Sequence, residues 1–123
     1  MLTVETELED PIATLFLRAL ECEAQAEGFR PHFHFREPGG SNVHEFRRAQ
    51  ELMIIKSRDA QDRRVNINVE SETFDVGPLV ERAAGRAAAD VLSAVMDALG
   101  EALGDEARAK LRQEMDHLLA RHA

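Results

Sequence analysis

The sequence predicts a single-domain α+β fold. It has an N-terminal helix, an antiparallel sheet of three to four strands built as two hairpins, and two C-terminal helices packed on one face. Three observations carry this reading. Apolar residues recur every three or four positions in 11–28 and again after Pro78, which is helical periodicity. Between them, residues 30–37 and 64–71 alternate with period two, as half-buried strands do. The 123 residues suit one domain spanning 1–123, and at 44% hydrophobic the chain is too apolar for disorder.

Taken in order, residues 1–10 read as a flexible tail or, because Leu2 and Val4 alternate with polar residues, as a short edge strand. Residues 11–28 form the first helix. Asp10 is placed to cap it and Pro11 suits its first turn. Ile12, Leu15, Phe16, Ala19, Leu20 and Ala24 give it one apolar face. Gly28 supplies a left-handed stop, with Phe29 folding back on the last turn.

Residues 30–37 (RPHFHFRE) form a strand with Phe33 and Phe35 on one side and His32 and His34 on the other. Pro38 to Asn42 is a turn cluster, and 43–48 return as the partner strand. Placing Phe35 opposite Phe46 brings the aromatics together on a core face. A competing reading makes 42–55 a helix capped by Ser41; the strand is preferred. Residues 51–57 and 64–71 form a second hairpin, with Val65, Ile67 and Val69 inward and Asn66 and Asn68 outward.

Gly77-Pro78 starts a helix over 78–103 that is rich in alanine and apolar over more than half its circumference. Gly104-Asp105 then gives a stop and a new cap, so 105–121 form a third helix with Ala107, Leu111, Met115 and Leu118 inward. One continuous helix is the alternative.

Charge is unevenly distributed. The formal net charge is −8. Residues 1–28 carry −6, residues 29–64 carry +3, and the remainder is acidic. The total disfavours generic binding to nucleic acid or anionic lipid. The basic stretch nevertheless holds Arg30, Arg36, Arg47, Arg48, Lys56, Arg58, Arg63 and Arg64, a candidate surface for nucleic acid or a protein partner. The bland counterpart has Phe33, Phe35 and Phe46 in the core and the arginines paired with acidic groups.

His32-x-His34 is a weak metal pattern, because zinc takes three or four ligands and the expected register turns His44 to the other face. Cys22 sits between Glu21 and Glu23, whose charges oppose a thiolate. The chain has no Gly-rich phosphate loop and no nucleophile with an evident base, so no enzymatic activity and no cofactor is expected. Ala84, Ala87, Val91 and Val95 form a candidate oligomer seam. No apolar run approaches the ~20 residues of a membrane span. The acidic first ten residues do not resemble a secretory signal, and the lone cysteine makes no internal disulfide. A cytoplasmic setting is the expectation.

Residues 63–99 (RRVNINVESETFDVGPLVERAAGRAAADVLSAVMDAL) resemble the end of the YbaB/EbfC nucleoid-associated family, in which an Arg-Arg-Val-x-Ile strand leads into an Ala-rich helix. The likeness covers under a third of the chain and implies a helix, antiparallel strands, then helices, with nucleic-acid binding. The acidic first helix and the HFHF hairpin depart from that family's pattern. The leading expectation is a small, acidic, non-enzymatic interaction protein, dimeric, with an unidentified protein partner. Nucleic-acid binding through 30–64 is the alternative, and a His-based metal site stands third.

Overall fold

The computed structural model describes residues 2–121. The chain runs β1 (Thr3–Glu9), α1 (Asp10–Ala26), β2 (Arg30–Arg36), β3 (Asn42–Arg48), β4 (Glu51–Ala60), β5 (Arg64–Ser71), α2 (Gly77–Leu103) and α3 (Asp105–Arg121). Five strands form one antiparallel sheet in the order β1-β5-β4-β3-β2. Both expected hairpins are present, and 42–55 is strand rather than helix. The chain divides into two compact units, residues 1–84 and 85–123.

The start of the chain corrects the expectation. Residues 3–9 are not a tail but the edge strand of the alternative reading, paired with β5 from Thr3↔Glu70 to Glu9↔Arg64, so a strand precedes the first helix and the sheet has five strands among the described residues rather than three or four. The alternation in TVETELE explains it: Val4, Thr6 and Leu8 are half-buried, and Thr3, Glu5, Glu7 and Glu9 are exposed. Strand passes into helix with no loop. Glu9 takes the cap position without a side-chain bond, and the Asp10 N–H donates to the Arg63 carbonyl at 2.9 Å. Asp10 therefore lies inside the helix rather than capping it.

The end of α1 follows its sequence signal. Gly28 adopts φ +94°, the Phe29 N–H reaches back to the Ala24 carbonyl at 3.0 Å, and the Phe29 ring is buried. This is the six-to-one bond of a glycine-terminated helix. The core of the first unit joins Ala13, Phe16, Ala19, Leu20 and Ala24 of α1 to Phe46, Met53, Ile55, Val65, Ile67 and Val69 of the sheet. Val76, just before α2, and Leu79 and Ala83 at its beginning complete this core. The buried Glu23 accepts from Arg82 Nε at 3.1 Å, tying α1 to that first part of α2. Ser71, also buried, is satisfied twice: its hydroxyl donates to the Leu52 carbonyl at 2.8 Å and accepts from the Phe74 N–H at 3.1 Å.

Gly104 separates α2 from α3 at φ +96°, so the two helices are not continuous. In the second unit Met96 and Ala87 are buried, while Leu92, Val95 and Leu99 stand exposed. The inward set expected on α3 (Ala107, Leu111, Met115 and Leu118) lies outside the described side chains. Among the described residues no helix is long and apolar enough to cross a membrane.

Candidate functional site

The β2–β3 hairpin decides where the candidate residues go. Its turn closes with the Glu37 N–H on the Ser41 carbonyl at 2.8 Å and the Gly40 N–H on the Glu37 carbonyl at 2.9 Å. That turn starts the ladder at Arg36↔Asn42, so Phe35 faces Val43 and Phe33 faces Glu45. The expected Phe35–Phe46 pair does not form; a register irregularity between Pro31 and Phe33 sets Pro31 opposite Phe46 instead. Phe46 is core, whereas Phe33 and Phe35 are 58% and 46% exposed. A change of register parity sends a side chain to the other face, which is what separates these rings.

Carrying the register across the sheet gives the composition of the face opposite α1. It holds Arg30, Phe33 and Phe35 of β2, Val43, Glu45 and Arg47 of β3, and Leu52, Ile54, Lys56 and Arg58 of β4. Arg64, Asn66, Asn68 and Glu70 of β5 follow, then Thr3, Glu5, Glu7 and Glu9 of β1. Positive charge gathers toward β2, β3 and β4, and negative charge along β1. Phe33 and Phe35 on the edge strand, with buried Val43 and half-buried Leu52 and Ile54 beside them, make the β2 to β4 side of the face partly apolar. A shallow hollow of about 560 Å³ at one end of the face is lined partly by Thr3, Leu52, Ile54 and Glu70.

The eight candidate cations thus do not form one patch. Five of them (Arg30, Arg47, Lys56, Arg58 and Arg64) share this face. Lys56 pairs with Glu37 at 3.4 Å and Arg64 with Glu7 at 3.4 Å. Arg36 lies on the α1 side of β2, and Arg63 occupies the β4–β5 turn at φ +57°. Arg48 is a structural residue. It donates to Glu51 Oε1 at 2.8 and 3.1 Å and to the Glu27 carbonyl at 2.7 Å, and it lies over the rings of Phe29 at 4.5 Å and Phe74 at 5.0 Å. Among the described residues Arg30, Arg36, Arg47, Arg58 and Arg63 make no ion pair.

The histidines are also rearranged. His32 and His34 do not share a face: His32 packs on Phe33 and approaches Glu45 at 3.8 Å. His34 instead meets His44, ring centroids 3.8 Å apart, and His44 Nδ1 lies 2.9 Å from Glu21 Oε1 of α1. Leu17, Asn42, Ile55 and Ser57 complete a small cleft of about 230 Å³ around them. Sequence reasoning missed this group because it rests on the register and on a helix residue distant along the chain. Among the described residues no three His, Cys, Asp or Glu side chains are placed to hold a metal ion. No hydrogen bond joins Ser57 to either imidazole there, and Cys22 is exposed on α1.

The predicted seam on α2 is split in the same way. Ala87 is buried and Val91 half-buried, while Ala84 and Val95 are exposed. Of the exposed apolar positions, Ala84, Ala88, Leu92, Val95 and Leu99 fall within one narrow arc of a helix with 3.6 residues per turn, and Ala94 and Ala98 lie outside it. No family model, curated protein or solved structure matches the chain.

Proposed function

We propose that this chain is a small, acidic, non-enzymatic interaction module of the adaptor or inhibitor type. It acts as a homodimer and meets a protein partner with the face of its sheet opposite α1. The observation that carries this reading is the exposure of Phe33 and Phe35 on that face. Apolar rings ringed by mixed charge are the usual makeup of a protein-binding surface. The acidic β1 side supports a protein partner over a polyphosphate.

The test is a paired capture experiment from host lysate. Phe33→Ser with Phe35→Ser should leave thermal stability nearly unchanged and lose a partner that the native chain retains. Equal capture by both proteins overturns the reading.

One observation favours a second reading, single-stranded nucleic acid on the same face. Phe33 and Phe35 stand on the same face as the unpaired Arg30 and Arg47, which combines stacking rings with cations. In that case Arg30→Ala with Arg47→Ala reduces the salt slope by about one unit for each phosphate no longer neutralised. Absence of binding to DNA or RNA oligonucleotides at low salt removes it.

A further inference from the structure

We infer that the free edge of β2 accepts an extended acidic segment of a partner protein, which adds to the sheet as a further strand. This rests on the interaction reading and names the kind of partner.

β2 ends the sheet, and all seven of its residues are exposed. One row of its N–H and C=O groups therefore faces no neighbouring strand. Pro31 and the irregularity beside it interrupt the beginning of the strand, so residues 33–36 are the continuous part of that edge. An added strand is held by main-chain hydrogen bonds, with its alternate side chains setting specificity.

The charges select the occupant. β2 carries Arg30, His32, His34 and Arg36 and no carboxylate. The carboxylates around it are engaged: Glu45 with His32, Glu37 with Lys56 and Glu21 with His44. Arg30 and Arg36 make no ion pair among the described residues. An acidic strand is attracted to this edge and a basic one repelled. The side chains also alternate in kind. Phe33 and Phe35 lie on the face opposite α1, while His34 and Arg36 lie on the other. The matching segment therefore places apolar residues beside the phenylalanines and carboxylates beside His34 and Arg36. Only a polypeptide completes the backbone row, which separates this proposal from nucleic-acid binding.

The chain's own residues 2–9, LTVETELE, have this alternation and serve as the probe. Binding of the labelled peptide to the full chain is followed by fluorescence anisotropy at low and physiological salt, and by amide exchange. The expected result is salt-sensitive binding that slows exchange in residues 33–36. Arg30→Glu with Arg36→Glu should weaken it about tenfold, as expected for reversed charge pairs at an exposed edge. The neutral peptide LTVQTQLQ should bind more weakly than LTVETELE. The proposal is overturned by no binding at low salt, by equal affinity for the two peptides, or by affinity unchanged in the double variant. Slowed exchange on β5 alone also overturns it, since the peptide would then be replacing β1. An oligo-dT strand that displaces the peptide from β2 and binds more tightly transfers the site to nucleic acid and overturns it. If the peptide fails while a partner still depends on Phe33 and Phe35, the edge proposal falls and the interaction reading stands. Loss of that dependence removes the interaction reading itself.

Discussion

Two phenylalanines on neighbouring strands have opposite roles, and substitution separates them. Phe46 is buried, so Phe46→Ala empties part of the core and leaves a cavity, costing about 3–5 kcal/mol in urea unfolding. Phe33 is mostly exposed, and Phe33→Ala should cost under about 1 kcal/mol. Equal losses at the two sites would contradict the β2–β3 register. Arg48 joins the end of α1 to β3 and β4 through its bonds to the Glu27 carbonyl and to Glu51, and it covers two rings. Arg48→Ala is expected to cost about 2–3 kcal/mol, from charge-assisted bonds and ring packing together. Arg48→Lys should recover only part of this, because an ammonium lacks the guanidinium's planar fork. A loss no larger than that of Arg47→Ala would show that Arg48 is only a surface charge.

Among the elements, the turn between β3 and β4 is the least expected. Ala49 sits there at φ +51°, a conformation that disfavours a side chain bearing Cβ. Nothing in Ala49-Gln50 signals a tight turn, since neither residue is Gly, Asn, Asp or Pro. Ala49→Gly should stabilise the protein by about 0.5–1 kcal/mol, as relief of strain exceeds the added flexibility of the unfolded chain. A fall in the urea midpoint would contradict that backbone geometry. By contrast Gly28 and Gly104 end α1 and α2 where their left-handed φ is needed, and both stops are legible from residue type alone.

For the molecule as a whole, net charge is a poor guide to any one surface. The −8 total coexists with a sheet face whose acidic side lies along β1 and whose cations lie toward β2, β3 and β4. Solution size tests the proposed dimer. Light scattering after size exclusion, read by refractive index because the chain lacks Trp and Tyr, should return twice the chain mass. Leu92→Lys with Val95→Lys should yield monomer if the exposed α2 stripe is the seam. A native monomer at all concentrations rejects self-association, and an unchanged dimer in the variant moves the seam elsewhere.

The periodicities of 11–28 and 78–121, the two hairpins and the glycine stops were all readable along the chain, because each depends on residues within a few positions of one another. Even β1 was visible as an alternation, although pairing with β5 was needed to make a strand of it. Tertiary structure alone decided which residues face each other. Period-two alternation says that a strand has two faces without saying which lies inward. The turn at 37–41 and the irregularity at Pro31 settled that choice over a distance that local pattern does not reach. Their joint effect exposed Phe33 and Phe35 and set His34 beside His44, while the other strand pairings and the packing of α1 divided the eight cations among a sheet face, a strand edge, a turn and a structural bond. The sequence by itself determined the elements and the uneven charge, since both are local properties of residue order. The make-up of the proposed surface came from long-range strand register, where one step of pairing reverses the exposure of every side chain.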